Sequence, residues 1–86
     1  MNTVFLLMAE FDTSQIPLEK ICGKYLDMDM PTAIRKAKLQ QLPFPAFRIG
    51  SQRSPYLVNV NDLASYLDAQ REKAKHDWTR MKNTAA

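Results

Sequence analysis

Met30-Pro31-Thr32-Ala33-Ile34-Arg35-Lys36-Ala37-Lys38 is followed by Ala46-Phe47-Arg48-Ile49, Gly50-Ser51-Gln52-Arg53-Ser54-Pro55 and Tyr56-Leu57-Val58-Asn59-Val60. Pro31 opens a short helix, since a first-turn proline lacks only an N–H that would be unpaired anyway. At 100° per residue, Ala33, Ile34 and Ala37 fall on one side, and Thr32, Arg35 and Lys36 largely on the other. Leu39 would point outward, so the helix ends or bends near it. Leu42-Pro43-Phe44-Pro45 cannot be helical, because each proline also restricts the residue before it. The next two segments read as strands around a polar turn, a β-hairpin with a basic tip.

Upstream, Pro17 is expected to start another helix. Leu18, Ile21, Cys22, Tyr25 and Leu26 share one apolar face, with a turn over 27–30 before the next helix. Two short helices joined by a tight turn, the second basic outside and apolar inside, form a helix-turn-helix pattern. Val4 and Phe5 are β-prone, so Thr3 to Ala9 reads as a short buried strand, with a polar turn over 10–15. Downstream, Asn61 or Asn59 caps a last helix. Its stripe of Leu63, Tyr66, Leu67, Gln70, Ala74, Trp78 and Met81 runs to about Lys82, ~30 Å at the helical rise. The expected fold is a small α+β winged helix-turn-helix: a short N-terminal strand, two short helices, a β-hairpin wing and a long C-terminal helix. Residues 1–82 form the domain, and 83–86 a disordered tail.

The 86-residue chain has room for one domain and none for a deep active site with a supporting shell. Its net charge of +3 is modest, but the placement of charge is informative. From Met30 to Asn61 there is no acidic residue, while Arg35, Lys36, Lys38, Arg48 and Arg53 all lie there. A one-signed patch suits a phosphate backbone. A solvated basic face is the plainer explanation, and the neighbouring wing tips the balance toward DNA. Arginine bonds guanine bidentately and lysine meets phosphate, so the site is read as Thr32, Arg35, Lys36 and Lys38 on the helix. Arg48, Ser51, Gln52 and Arg53 complete it from the wing.

Catalysis finds no support. His76 stands alone in a polar helix segment, and Cys22 lies on an apolar stripe. No CxxC, HExxH, GxGxxG or P-loop pattern occurs. No cofactor and no metal are expected, since the chain lacks a ligand set. The one cysteine fits a reducing cytoplasm, and the apolar run at 4–9 is too short to span a bilayer, so no membrane role is expected. Ala74, Trp78 and Met81 continue the core stripe past the point where so small a domain has surface to cover. Self-association through them is expected, against the alternative that the helix folds back on Phe5 or Phe11.

Met1 to Glu10, Ile16-Pro17-Leu18-Glu19, Arg35-Lys36, Pro45-Ala46-Phe47-Arg48-Ile49 and Asp62 to Glu72 resemble the pyocin-activator (PrtN-like) family, a likeness running to about residue 75. More distantly, the order of elements is similar to phage excisionases. The resemblance implies a transcription activator of prophage or bacteriocin-type genes. It implies a second helix in the major groove and a wing at the minor groove, which carries to Thr32, Arg35, Lys36, Lys38 and Arg53. It also implies double-stranded DNA as partner, with RNA polymerase or an integrase as protein partners. The chain departs from the family over 38–44, where the expected glycine turn is missing, and in the composition of the wing. Two rival readings remain: an excisionase-like factor that bends DNA, and a DNA-independent interaction module built on the Trp78 helix.

Overall fold

A computed structural model describes residues 2–51 and 53–84. Its small sheet joins two segments far apart in the chain. Strand β1 (Gln15–Pro17) pairs antiparallel with β2 (Leu57–Asn59), with Ile16 opposite Val58, and both of these side chains are fully buried. The ladder is prolonged at both ends, by Leu18 N–H to the Tyr56 carbonyl (2.9 Å) and Val60 N–H to the Ser14 carbonyl (2.8 Å). Between the strands come a 3-10 turn (Leu18–Lys20), helix α2 (Cys22–Tyr25) and helix α3 (Met30–Lys38). Helix α1 (Thr3–Phe11) precedes them, and helix α4 (Val60–Thr84) follows β2 directly. The architecture is the expected α+β winged helix-turn-helix class, with three local corrections.

First, the expected N-terminal strand is α1. Asn2 caps it, its side chain accepting from Val4 N–H at 2.8 Å, and the inward residues Val4, Leu7 and Phe11 follow helical spacing. Asp12, in the left-handed region at φ 57°, ends it by donating its N–H to the Met8 carbonyl. The β-prone start was outweighed by this cap and by packing on α4, where Thr3 Oγ1 donates to Asp68 Oδ1 at 2.7 Å. Second, Pro17 ends a strand rather than opening a helix, and the helix after it is split into the 3-10 turn and α2. The apolar face was read correctly, with Leu18, Ile21 and Cys22 buried and Tyr25 and Leu26 packed against them.

Third, the hairpin strand expected at 46–49 shrinks to a single bridge. Phe47 and Leu57 exchange both backbone hydrogen bonds, at 2.9 and 2.7 Å. Continuing that register would place Ile49 opposite Pro55 and Pro45 opposite Asn59 as the next exchanging pairs. Each needs an N–H that proline lacks. The ladder therefore stops after one pair, and β2 finds its main partner in β1.

Asp29 caps α3, accepting from Thr32 N–H at 3.0 Å, and the helix lays Ala33 and Ala37 into the core. It ends where Leu39 turns outward, as the sequence indicates. Gln41 N–H reaches the Lys36 carbonyl and Gln40 N–H that of Ala37, the paired bonds of a Schellman turn. Gln40 therefore adopts the left-handed region at φ 57°, where glycine is usual. Asn59, the second of the two candidates, caps α4 by accepting from Asn61 N–H at 2.8 Å. Leu63 and Ala64 are buried, and Phe44 meets Tyr66 edge to face, with centroids 5.5 Å apart. From Asp68 to Lys82 every α4 residue is exposed, so this part of the helix projects as an arm and the molecule is 57 Å long and 17 Å thin. Helix α4 runs to Thr84, while Ala85 and Ala86 of the expected tail lie outside the described residues. Gln40→Gly should stabilise the domain by about 0.5–1 kcal/mol, relieving a left-handed side chain at some cost in unfolded-chain entropy. Thermal melting checks this as a rise of a few degrees.

Candidate nucleic-acid interface

Thr32, Arg35 and Lys38 lie three residues apart, which aligns them along one side of α3. Arg35 and Lys38 are exposed, Thr32 is half-buried, and Lys36 is half-buried off this line. Thr32 has a structural duty, because it supplies the N–H that Asp29 accepts. Hydrogen bonds from Thr32, the side chain first and the backbone next, hold the Asp29 carboxyl below its usual range, and Arg35 adds to the effect.

The wing faces α3. The Arg48 guanidinium lies over the Tyr56 ring, 4.1 Å from its centroid, while Arg48 Nε is buried and has no hydrogen-bond partner. Stacking of this kind holds the planar fork in place before any ligand arrives. Two hollows meet at this pair. One, of about 240 Å³, lies between Met30 and Ile34 of the helix-turn-helix and Arg53 of the wing. The other, of about 440 Å³, reaches Ala37, Lys38 and Gln40 at the end of α3. Around the tip, Ser51 Oγ accepts from Arg53 N–H at 3.3 Å, and its carbonyl from Ser54 N–H at 3.0 Å. Gly50 takes φ 97°, which glycine alone adopts without strain.

Arg48 thus lines both hollows, with Arg53 at the smaller and Lys38 at the larger, while Arg35 lines neither and is exposed on α3. Lys36 stands apart, Ser51 shapes the turn, and Gln52 lies outside the described residues. Two contributors were missed. Tyr56 is an ordinary strand residue in the sequence, and only the register across the wing reveals that it carries Arg48. Glu19 lines the smaller hollow, so the cleft is not free of acid although the stretch from Met30 to Asn61 is. It comes from the 3-10 turn, far off in sequence.

Among the described residues no cluster of His, Cys, Asp and Glu suits a metal ion, and no helix is long and apolar enough to cross a membrane. Cys22 is buried, with its Sγ 3.4 Å from Met30 Sδ.

A helix-turn-helix with a wing, basic along its second helix, defines the class of the molecule. The chain belongs to the family of the pyocin activator protein PrtN, whose model matches residues 3–74. That match spans the whole compact part of the fold and the start of the arm. The family is regulatory by its description, an activator of pyocin genes. No curated protein and no solved structure matches the chain.

Asp29 also makes a pH prediction. Because its folded carboxyl titrates below the unfolded value of ~3.9, the stability it adds is complete above that value and is lost as pH falls through the folded one. Asp29→Asn should keep the cap and flatten this acid step, and Asp29→Ala should lower the melting temperature at neutral pH. Melting curves between ~pH 2 and 6 check both.

Proposed function

We propose that the chain is a duplex-DNA-binding transcriptional activator that reads the major groove with α3 and the backbone or minor groove with the wing. The observation that carries this is the placement of Arg53 and Lys38 at two hollows that share Arg48, with Arg35 exposed on the same helix as Lys38. Membership of an activator family supports the regulatory half of the reading. Arg35, exposed on α3, is the residue assigned to base recognition. Lys36, Lys38 and Arg53 are assigned to phosphate, with Ser51 and Gln52 at the tip. Thr32 is kept as a minor contributor, since the Asp29 cap engages it. Arg48 is assigned to a phosphate in the cleft, where its unpaired Nε and the Tyr56 platform prepare it for an anion. Such work places the protein with the genome, in the bacterial cytoplasm, and suits contact with RNA polymerase at a promoter.

Duplex affinity should fall with salt, with a log–log slope of magnitude ~3–5 per protomer, as about that many phosphate contacts would give. A slope near zero in a binding titration overturns DNA binding. Arg35→Ala should cost about 1–3 kcal/mol at a specific site and much less on random duplex. Arg48→Ala and Lys38→Ala should weaken both duplexes alike and each lower the slope by about 1. Genome-wide mapping of bound DNA checks the activator role, since its peaks should lie upstream of promoters. Peaks at attachment sites would transfer the role to recombination.

A further inference from the structure

Large apolar side chains are bare at one end of the molecule. Helix α1 is apolar on nearly all sides and buries only one of them. Phe5 is 68% exposed, Leu6 52% and Met8 39%. The arm adds Trp78 at 59% and Met81 at 67%. A helix apolar all round is one that something else covers, and a small soluble domain rarely leaves this much apolar surface open.

The spacing of the arm says what covers it. Ala74 lies one heptad beyond Leu67, Met81 two heptads beyond it, and Trp78 two heptads beyond the buried Ala64, so the core stripe simply continues into solvent. Leu67, Gln70, Ala74, Trp78 and Met81 are separated by 3, 4, 4 and 3 residues. That pattern reads the same in both directions. Two antiparallel copies related by a two-fold axis at Ala74 therefore match stripe to stripe, which is the condition for an isologous interface. The axis falls on the smallest side chain of the set, where two helices approach most closely. Met81 of the second copy then lies level with Leu67, next to the start of α1, which the Thr3–Asp68 hydrogen bond holds at that level.

Charge points the same way. Helix α1 carries no basic residue, and its Glu10 is paired with Lys24 of α2; Asp12 lies at its end, and Asp68 and Glu72, with Arg71, line the surface beside its first turn. The arm over 73–82 carries Lys73, Lys75, Arg80 and Lys82 against Asp77. An antiparallel pair lays the basic end of each arm over the acidic end of the other.

We infer that the chain forms a two-fold homodimer through α1 and the arm, the arms crossing antiparallel at Ala74. Met81 of each copy lies over the start of the other's α1, where Phe5 and Leu6 are exposed, and Trp78 lies level with the other's Gln70. The two α3–wing clefts are left outside the interface and are joined as a pair.

The test uses the full chain without DNA. Ala74→Cys should oxidise to a disulfide-linked dimer, because only a residue on the axis meets its own copy. Ala69→Cys, on the far face of the arm, should not, and buried Cys22 stays silent. Trp78→Lys and Phe5→Lys should each weaken association in sedimentation equilibrium by about tenfold or more, with helical circular dichroism unchanged because both positions are exposed. A wild-type chain that sediments as a monomer up to ~0.1 mM, or equal cross-linking at positions 69 and 74, overturns the dimer. Salt-dependent duplex binding by such a monomer would leave the DNA reading standing, so the two fail separately.

Discussion

The rest of the structure depends on the contact of Ile16 with Val58 across a three-residue ladder. Both side chains are fully buried, and the ladder closes the whole of residues 18–56 into one loop. Everything assigned to DNA lies inside that loop. Closing it costs chain entropy that the local hydrogen bonds cannot repay, so the burial of Ile16, Leu18, Ile21, Val58 and Leu63 must offset it. Each such side chain contributes roughly 1.5–3 kcal/mol. Loss of the ladder would separate α3 from the wing before it disturbed either one alone.

The cleft shows how a modest charge becomes a directed one. The chain has only three more cations than anions, and most of its ionic groups are solvated. Three of its cations are presented by different supports. Lys38 rides the last turn of a capped helix, Arg48 lies on an aromatic ring, and Arg53 sits in a turn closed by Ser51 and Gly50. Only Arg48 has its charged group held in advance, which lowers the side-chain entropy lost if an anion is bound there. Glu19, which lines the smaller hollow, works in the opposite direction, because its carboxylate repels an anion there.

Where the sequence carried a periodic signal, it was readable. The apolar faces of α2 and α3, the outward turn at Leu39 and the long stripe of α4 all follow from spacing alone. What escaped depended on partners distant in the chain. Val4 and Phe5 look β-prone, yet Asn2 and the surface of α4 make them helical. Gln15-Ile16-Pro17 looks like a turn before a helix, and becomes a strand only because β2 lies opposite with an unfilled edge. Among the site residues, the basic ones were legible from the missing acids. The Tyr56 platform and Glu19 were not, because no local pattern marks a residue that matters through a neighbour brought in by folding.

The single Phe47–Leu57 bridge, bounded by Pro45 and Pro55, bears on how the protein behaves at high concentration. A long, regular outer strand is a template on which other chains can add, the first step toward fibrils. Here the edge on the wing side of the sheet is one residue pair in length, and the prolines prevent its growth in either direction. Phe47 and Ile49, both exposed, would otherwise make an adhesive edge. The same shortness gives the wing a narrow root, so it can tilt about one pair of hydrogen bonds while the buried ladder beside it stays still.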